Sequence, residues 1–473
     1  MKRYGIFVAG EFRDAGRRET IRDPADGRSI HEVAVAGERE VEEATAAAAR
    51  AFSETRRLPR AARAEMLSRA AAAIQDRFED LAETVRQEAG KPITLARFEV
   101  TRCLSTFTLA AEEARRFGGE NVAADVLPRY ARYRSLYERM PIGPVLGITP
   151  FNFPVNLVAH KVAPALAAGN SVVVKPAPQT PVSALKLAEI LHGAGATPGS
   201  VNVVPCSNEL AAKMVADERF RMLSFTGGTK VGWQLRSQAG KKKVTLELGG
   251  NAGLIVAEDC DLEVAAEKAA HGGFAYAGQT CISVQRIYAQ RTVFERFLGL
   301  LVRKAEALPV GGTSDERTVV GPMVSEAAAD RVMSWLEEAR AGGARALSGG
   351  RRRGNLITPA VLVDVKPTMK ISCAEVFGPI VTVEPYEDFG EAVTRINDSP
   401  YGLQAGVFTH DQRKIDHAFR ELEVGAVLIN ETSNFRIDNY PYGGVKESGT
   451  GREGVRYAME SMTEPRVLVL APA

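Results

Sequence analysis

Apolar positions change their period several times along the chain. Near the N-terminus the short runs Ile6-Phe7-Val8 and Gly10-Glu11-Phe12, followed by Asp23-Pro24-Ala25-Asp26-Gly27, predict two short strands around a turn. Leu67, Ala70, Ile74, Phe78, Leu81 and Val85 then recur every three or four residues, and Gly90-Lys91-Pro92 closes the block, so one amphipathic packing helix is expected there. A further helix is expected over 94–117 and carries Arg102. Between 130 and 140 a run dense in Arg and Tyr alternates as an exposed or edge strand does, which makes it a candidate interface.

From Gly143 the rhythm becomes α/β. Strand patterns at 145–148, 171–174, 201–204, 222–225 and 244–248 alternate with helical ones at 156–168, 181–191, 208–216 and 229–237. Thr180 is the expected N-cap of the second of these helices, with Pro181 at its first position. Such alternation predicts a parallel, doubly wound sheet, which binds ligands at the carboxyl ends of its strands. The dinucleotide fingerprint GxGxxG is absent after the first strand; the chain offers instead Phe225-Thr226-Gly227-Gly228-Thr229-Lys230-Val231-Gly232, a strand end, a glycine pair and a helix start. Free N–H groups at such a junction suit a diphosphate, although a glycine turn can also be only a turn. Lys175, at a strand end, is placed to hydrogen-bond a ribose or else to stay solvated. The small-residue stretch Ala275-Tyr276-Ala277-Gly278-Gln279-Thr280-Cys281 delivers one thiol at a turn, and the residues after it alternate like a strand or restart a helix. A thiol there is either an exposed nucleophile or a small buried hydrophobe.

Composition narrows the class. A chain of 473 residues exceeds one ordinary core, so two or three domains are expected. Sixty basic against 58 acidic side chains leave a net charge of +2, with no excess to suggest a nucleic-acid or membrane partner. The five cysteines, Cys103, Cys206, Cys260, Cys281 and Cys373, show no CxxC spacing, so neither a disulfide framework nor a metal site is implied and a reducing cytoplasm fits. The apolar run at the N-terminus is too short for a signal peptide, and no stretch approaches the roughly 18 apolar residues of a membrane span.

Seven motifs in order then carry a family resemblance. Pro150-Phe151-Asn152-Phe153-Pro154, Lys175-Pro176, Phe225-Thr226-Gly227, Leu246-Glu247-Leu248-Gly249-Gly250, Gly278-Gln279-Thr280-Cys281, Glu375-Val376-Phe377-Gly378-Pro379 and Pro441-Tyr442-Gly443-Gly444-Val445-Lys446 resemble the signature of the aldehyde dehydrogenase superfamily along the whole chain. The resemblance implies an α/β fold of that family: a Rossmann-like doubly wound parallel-sheet domain for the cofactor (1–125 and 143–246), an α/β catalytic domain (247–446), and a small bridging sheet used for oligomerisation (126–142 and 447–473). It also implies a homodimer or homotetramer.

Oxidising an aldehyde to an acid requires a nucleophile, because a bare carbonyl has no hydride it gives up readily. By the resemblance Cys281 is that nucleophile; a free thiol is only a few per cent ionised at pH 7, so its site must stabilise or generate the anion. Asn152 and the backbone N–H of Cys281 resemble the donors to the adduct's oxyanion, Asn152 being otherwise a cap for the helix starting near Asn156. Glu247 resembles the base that activates water against the thioester, with a structural ion pair as its alternative. Lys161 resembles a lysine of a proton relay, unless it snorkels to solvent. Thr149, Pro150, Phe151, Lys175, Pro178, Thr226, Gly227, Gly228, Val231, Leu248 and Gly249, with Glu247, Glu375 and Phe377, are the implied contacts of NAD or NADP. Phe153, His160, Arg102, Thr280, Ile282 and Arg436 are the implied substrate contacts.

Departures from the pattern bear on specificity. Pro178 stands where many NAD-specific members carry a Glu that holds the ribose hydroxyls and repels a 2′-phosphate, so cofactor preference is open. Gly228 and Cys206-Ser207-Asn208 replace a serine and a more glycine-rich turn. His160 replaces a frequent aromatic, and Asn434-Phe435-Arg436 puts a cation near the implied substrate mouth. With the C-terminal pattern, this is similar to the subgroup acting on lactaldehyde, glyceraldehyde phosphate, phosphonoacetaldehyde or succinic semialdehyde, so a small hydrophilic or anionic aldehyde is expected unless Arg436 and Arg102 are surface charges. Two rivals share the fold. A coenzyme-A-acylating dehydrogenase would lack a water-activating Glu247, and a non-catalytic structural protein would have lost at least one of Cys281, Asn152 and Glu247.

Overall fold

A computed structural model describes residues Met1–Pro472. An eight-stranded sheet holds, in spatial order, Gly449–Thr450, Lys243–Glu247, Met222–Thr226, Val145–Ile148, Val172–Lys175, Val201–Val203, Ile6–Val8 and Glu11–Arg13. Its five central strands are parallel, and the antiparallel additions lie at its two sides. They are short apolar runs because helices cover both faces, as a doubly wound sheet requires. The helices Asn156–Ala168 and Pro181–Gly193 are accordingly buried almost all round.

A second sheet of seven strands, ordered Arg345–Ser348, Ala360–Val363, Ile380–Tyr386, Val284–Gln290, Ala252–Val256, Gln404–Phe408 and Ala426–Ile429, is parallel except for its first strand. The residues after Cys281 therefore form a strand, Val284–Gln290. The chain crosses from the first sheet to the second directly after Glu247, through Leu248-Gly249-Gly250-Asn251. That crossing brings the carboxyl end of one sheet against the turn that bears the thiol.

Three local expectations are corrected. The single helix expected over 67–85 is two, Arg60–Asp76 and Phe78–Ala89, broken at Arg77 (φ −104°, ψ 21°). Both keep their apolar sides buried, and Gly90 ends the second in the left-handed region (φ 63°). Thr180 does not cap Pro181–Gly193 with its side chain; the buried Glu88 carboxylate instead accepts from the N–H groups of Val182 and Ser183, each at 2.9 Å. The run at 130–140 is not an edge: Arg134–Pro141 lies between Glu120–Val122 and Thr463–Leu470 in a three-stranded sheet. We propose that domain boundaries follow the sheets, which moves Gly449–Thr450 out of the expected bridging segment and into the cofactor side.

Candidate active site

The thiol turn is held in a conformation that L-residues avoid. Helix Leu262–Phe274 runs into a short 3₁₀ turn, Ala275–Gly278, in which Tyr276 (φ 54°), Ala277 (φ 55°) and Gly278 (φ 67°) are left-handed in succession. Each non-glycine residue there costs about 1–2 kcal/mol, so the surroundings must over-determine the shape. The Tyr276 hydroxyl donates to the Ala89 carbonyl at 2.9 Å, and the Gln279 amide donates to the Pro322 carbonyl at 3.1 Å and accepts from Val324 N–H at 2.8 Å. Gly278 is obligatory because a Cβ there would lie 2.4 Å from the Gly378 carbonyl oxygen. Gly250 is equally so, since its Cβ would lie 2.2 Å from the carbonyl oxygen of Cys281.

Asn152 faces this turn and donates through Nδ2 to the Gln279 carbonyl at 3.0 Å. It does not cap the following helix: Glu99 accepts from Val155 and Asn156 N–H at 2.9 and 3.1 Å. The same Glu99 pairs with fully buried Lys91, whose ammonium stands 3.6 Å from the Phe153 ring centroid and 4.7 Å from that of Tyr276. One buried ion pair thus ties the Asn152 loop to the thiol turn. Glu247, the last residue of its strand, is buried with neither carboxylate oxygen partnered among the described residues.

Asn152, Glu247 and Cys281 line one cavity of about 620 Å³ that runs from Lys175 and Pro178, past Gly227, Gly228 and Glu375, to Arg102 and Arg436. The aldehyde dehydrogenase family profile matches residues 12–468. The chain belongs to the aldehyde dehydrogenase family. Over 471 residues it is 42% identical to the 3-sulfolactaldehyde dehydrogenase of Priestia megaterium, covering 99% of this chain and 98% of that protein. Aldehyde dehydrogenase 21 of Physcomitrella patens, solved with the reaction product succinate, superposes with a TM-score of 0.97 at 41% identity, over 99% of this chain and 98% of that one. The NADP-dependent glyceraldehyde-3-phosphate dehydrogenase of Bacillus halodurans, solved with NADP, gives 0.97 at 35% identity over 100% of both chains. This member of the family is an NAD(P)-dependent aldehyde oxidoreductase.

Nearly every residue expected at the site lines the cavity, including Thr149, Pro150, Phe151, Phe153, Thr226, Val231, Leu248, Gly249, Thr280, Ile282 and Phe377. Lys161 and His160 stand behind the wall. Lys161 does not snorkel: fully buried, it donates to Thr226 Oγ1 at 2.8 Å and Ser224 Oγ at 3.1 Å and pairs with Glu453 at 3.2 Å. His160 places Nε2 2.8 Å from the Asp438 carboxylate. Arg102 and Arg436 are not surface charges, their side chains being 11% and 6% exposed. Arg102 forks onto Asp438 at 2.6 and 3.2 Å, whereas Arg436 pairs with Glu453 at 3.0 Å and leaves buried Nε, 3.9 Å from Asp438 Oδ1, without a hydrogen-bond partner among the described residues.

Charge at the site follows from burial and these pairs. Burial pushes the Cys281 thiol up to about 11, partly offset by its hydrogen bond with Tyr442. Burial first, and then the Glu453 carboxylate, raise Glu247 well above the ordinary carboxylate range. Burial also raises Glu375 to about 7. At Asp438 the burial penalty is outweighed by the His160 hydrogen bond and Arg102, and at Glu453 by Lys161 and Arg436, so both are held low and ionised.

Sequence reasoning missed Tyr442, Glu453, Asp438 and the Lys91–Glu99 pair. Tyr442 stood inside a quoted motif without a role. Glu453 had one readable signal, an acid enclosed by Gly449, Gly451 and Gly454, all at positive φ.

Proposed function

We propose that this chain oxidises a small anionic or hydroxylated aldehyde to its carboxylic acid, with Cys281 forming a thiohemiacetal and then a thioester that Glu247-activated water hydrolyses. The observation carrying the substrate class is Arg436 in the wall of the cavity that contains Cys281, its buried Nε without a hydrogen-bond partner among the described residues and 3.9 Å from Asp438 Oδ1. A buried unpartnered donor is costly unless something outside the protein fills it. Arg102, Arg436 and Lys161 set three formal positive charges against the carboxylates of Asp438 and Glu453, an excess of one that the Glu247 carboxylate or a bound anion balances. The similar proteins act on a sulfonated and a phosphorylated aldehyde or hold succinate, in keeping with that balance.

In this reading the Cys281 thiolate attacks the carbonyl carbon, and Asn152 Nδ2 with the Cys281 N–H stabilises the oxygen that takes the electron pair. NAD or NADP, when bound, supplies the hydride acceptor. The far end of the cavity fits such a group: helix Thr229–Gln238 begins at Gly228 with no side-chain cap, and a Cβ at Gly228 would meet nothing, which leaves its first N–H groups open to a diphosphate. Glu375 accepts from Gly250 N–H at 3.1 Å and lies where a Cβ on Gly249 would sit 2.5 Å from its second oxygen, a position suited to a ribose hydroxyl. Glu247, with two unpartnered oxygens, favours hydrolysis over acyl transfer to coenzyme A. We further read the enzyme as cytoplasmic and as a homodimer or homotetramer, the latter because Val467, Leu468, Val469 and Leu470 leave an apolar strand exposed.

Arg436→Ala is expected to lower kcat/KM for succinic semialdehyde, glyceraldehyde 3-phosphate and lactaldehyde relative to hexanal. The anionic pair should lose about 10- to 100-fold, the worth of a charge-assisted hydrogen bond of roughly 1.5–3 kcal/mol. Equal losses for hexanal would remove the anion anchor from the proposal.

Cofactor choice provides a separate test. Beside Pro178 a second cavity holds Arg17 and Glu19, which pair with each other at 2.9 Å. Neither a lone carboxylate nor a lone cation meets a 2′-phosphate there. NADP should therefore serve alongside NAD, with kcat/KM values within about tenfold, roughly 1.4 kcal/mol. A much larger preference for NAD would show that Glu19 acts uncompensated.

A further inference from the structure

Cys281 has one side-chain hydrogen-bond partner among the described residues, and it is not Glu247. The Tyr442 hydroxyl stands 3.4 Å from Cys281 Sγ. Tyr442 is buried and rigidly seated: its N–H and C=O both pair with the backbone of Glu453, at 3.0 and 2.7 Å, and its ring packs with Ile282 and Leu403. The Arg436 guanidinium covers the ring 3.5 Å from its centroid.

Resting on the reading of Cys281 as nucleophile, we propose that Tyr442 is a further catalytic residue, whose hydroxyl donates the hydrogen bond that holds the Cys281 thiolate. While the thiol is protonated, its S–H donates to the phenol oxygen. Once that proton leaves to water in the cavity, the phenol rotates its own O–H onto the sulfur anion. The phenol proton stays on oxygen throughout, because burial holds Tyr442 well above its ordinary pKa. Tyr442 is thus a donor and not the base.

The neighbouring charges leave this task to it. Where ionised, the Glu375 and Glu247 carboxylates oppose negative charge on the sulfur, whereas Arg436 favours it. Arg436 is already engaged by Glu453 at 3.0 Å, with Asp438 at 3.9 Å and Lys161 bonded to the far side of Glu453. Only the phenol is directed at the sulfur itself. A hydrogen bond to a charged group is among the stronger contributions available in a buried site.

The experiment is the pH profile of Cys281 alkylation by iodoacetamide in the full chain, read at the Cys281 peptide to separate it from the four other free cysteines. In Tyr442→Phe the rising limb of the profile should shift by about one pH unit to higher pH, so that the rate at any pH on that limb falls about tenfold. Coincident profiles for the two proteins would overturn the proposal. If the phenylalanine variant does not fold, 3-fluorotyrosine at position 442 has nearly the same shape and a more acidic hydroxyl. It should move the rising limb to lower pH, and a limb unmoved or moved to higher pH overturns the proposal equally. Because alkylation needs no aldehyde, these outcomes are separate from the failure of the aldehyde reading, which would appear as turnover surviving in Cys281→Ala.

Discussion

Cys281→Ala should lower NAD(P)-linked aldehyde oxidation by more than about a thousandfold, the scale on which removal of an enzymatic nucleophile is felt. No other group in the cavity can replace it. The Thr280 hydroxyl has no side-chain hydrogen-bond partner among the described residues and accepts from Ile282 N–H at 3.4 Å, and burial holds the Tyr442 phenol protonated. Cofactor affinity should be nearly unchanged, because the surfaces that fit the diphosphate and ribose belong to Gly228, Glu375 and Lys175, none of which hydrogen-bonds the sulfur among the described residues. The fold should tolerate the change as well: Cys281 lies outside the large apolar clusters, and the turn is fixed by Tyr276, Gln279 and Gly278 rather than by the thiol. Steady-state rates with succinic semialdehyde and a fluorescence titration of NADPH test both halves. Turnover above a small fraction of wild type would end the assignment of Cys281.

The alternation of buried strands and helices from 145 onward was legible because each strand is a short apolar run between turn residues, and local pattern carries that information. The break at Arg77 was not. The apolar spacing continues through it, and what divides the helix is the direction in which its second half must turn to bury Leu81 and Val85. The cap on Pro181–Gly193 failed for a related reason: Thr180 has the right residue type, but Glu88, some ninety positions earlier, offers two carboxylate oxygens to the same N–H groups. Capping by a distant residue has no local signature.

At the site, Cys281, Asn152 and Glu247 were singled out through the motifs that carry the family resemblance, and the structure brings all three to one cavity. The polar layer behind them could not be read in that way. His160, expected among the substrate contacts, lies behind the cavity lining and supports Asp438, which in turn engages Arg102. Lys161 and Arg436 share Glu453, an acid whose importance depends on two cations far from it in sequence. A lone Arg in sequence is more often exposed than buried, so only tertiary structure could reveal that Arg436 is buried with a free donor.

Glu247→Gln should separate the two halves of the reaction. Glutamine keeps the size of the side chain and removes the base, so thiol attack and hydride loss should proceed while water is no longer deprotonated against the thioester. A pre-steady-state burst of NAD(P)H near one per site should persist, followed by a steady state slower by about 10²–10⁴-fold, the range for a positioned general base. The surroundings accept the amide without collapse, since neither oxygen of Glu247 holds a structural hydrogen bond among the described residues. Space for the group comes from Gly443, where a Cβ would lie 2.8 Å from Glu247 Oε1. The pH dependence gives an independent check. Burial and the Glu453 carboxylate favour the protonated form of Glu247, so in the wild type the fraction able to act as base, and with it thioester hydrolysis, rises as pH climbs through a pKa well above the ordinary carboxylate value. That rising limb should vanish in Glu247→Gln. If the burst itself disappears in proportion to the steady state, Glu247 acts before the thioester forms, and the base for hydrolysis must be sought elsewhere, with Glu453 the next carboxylate lining the cavity.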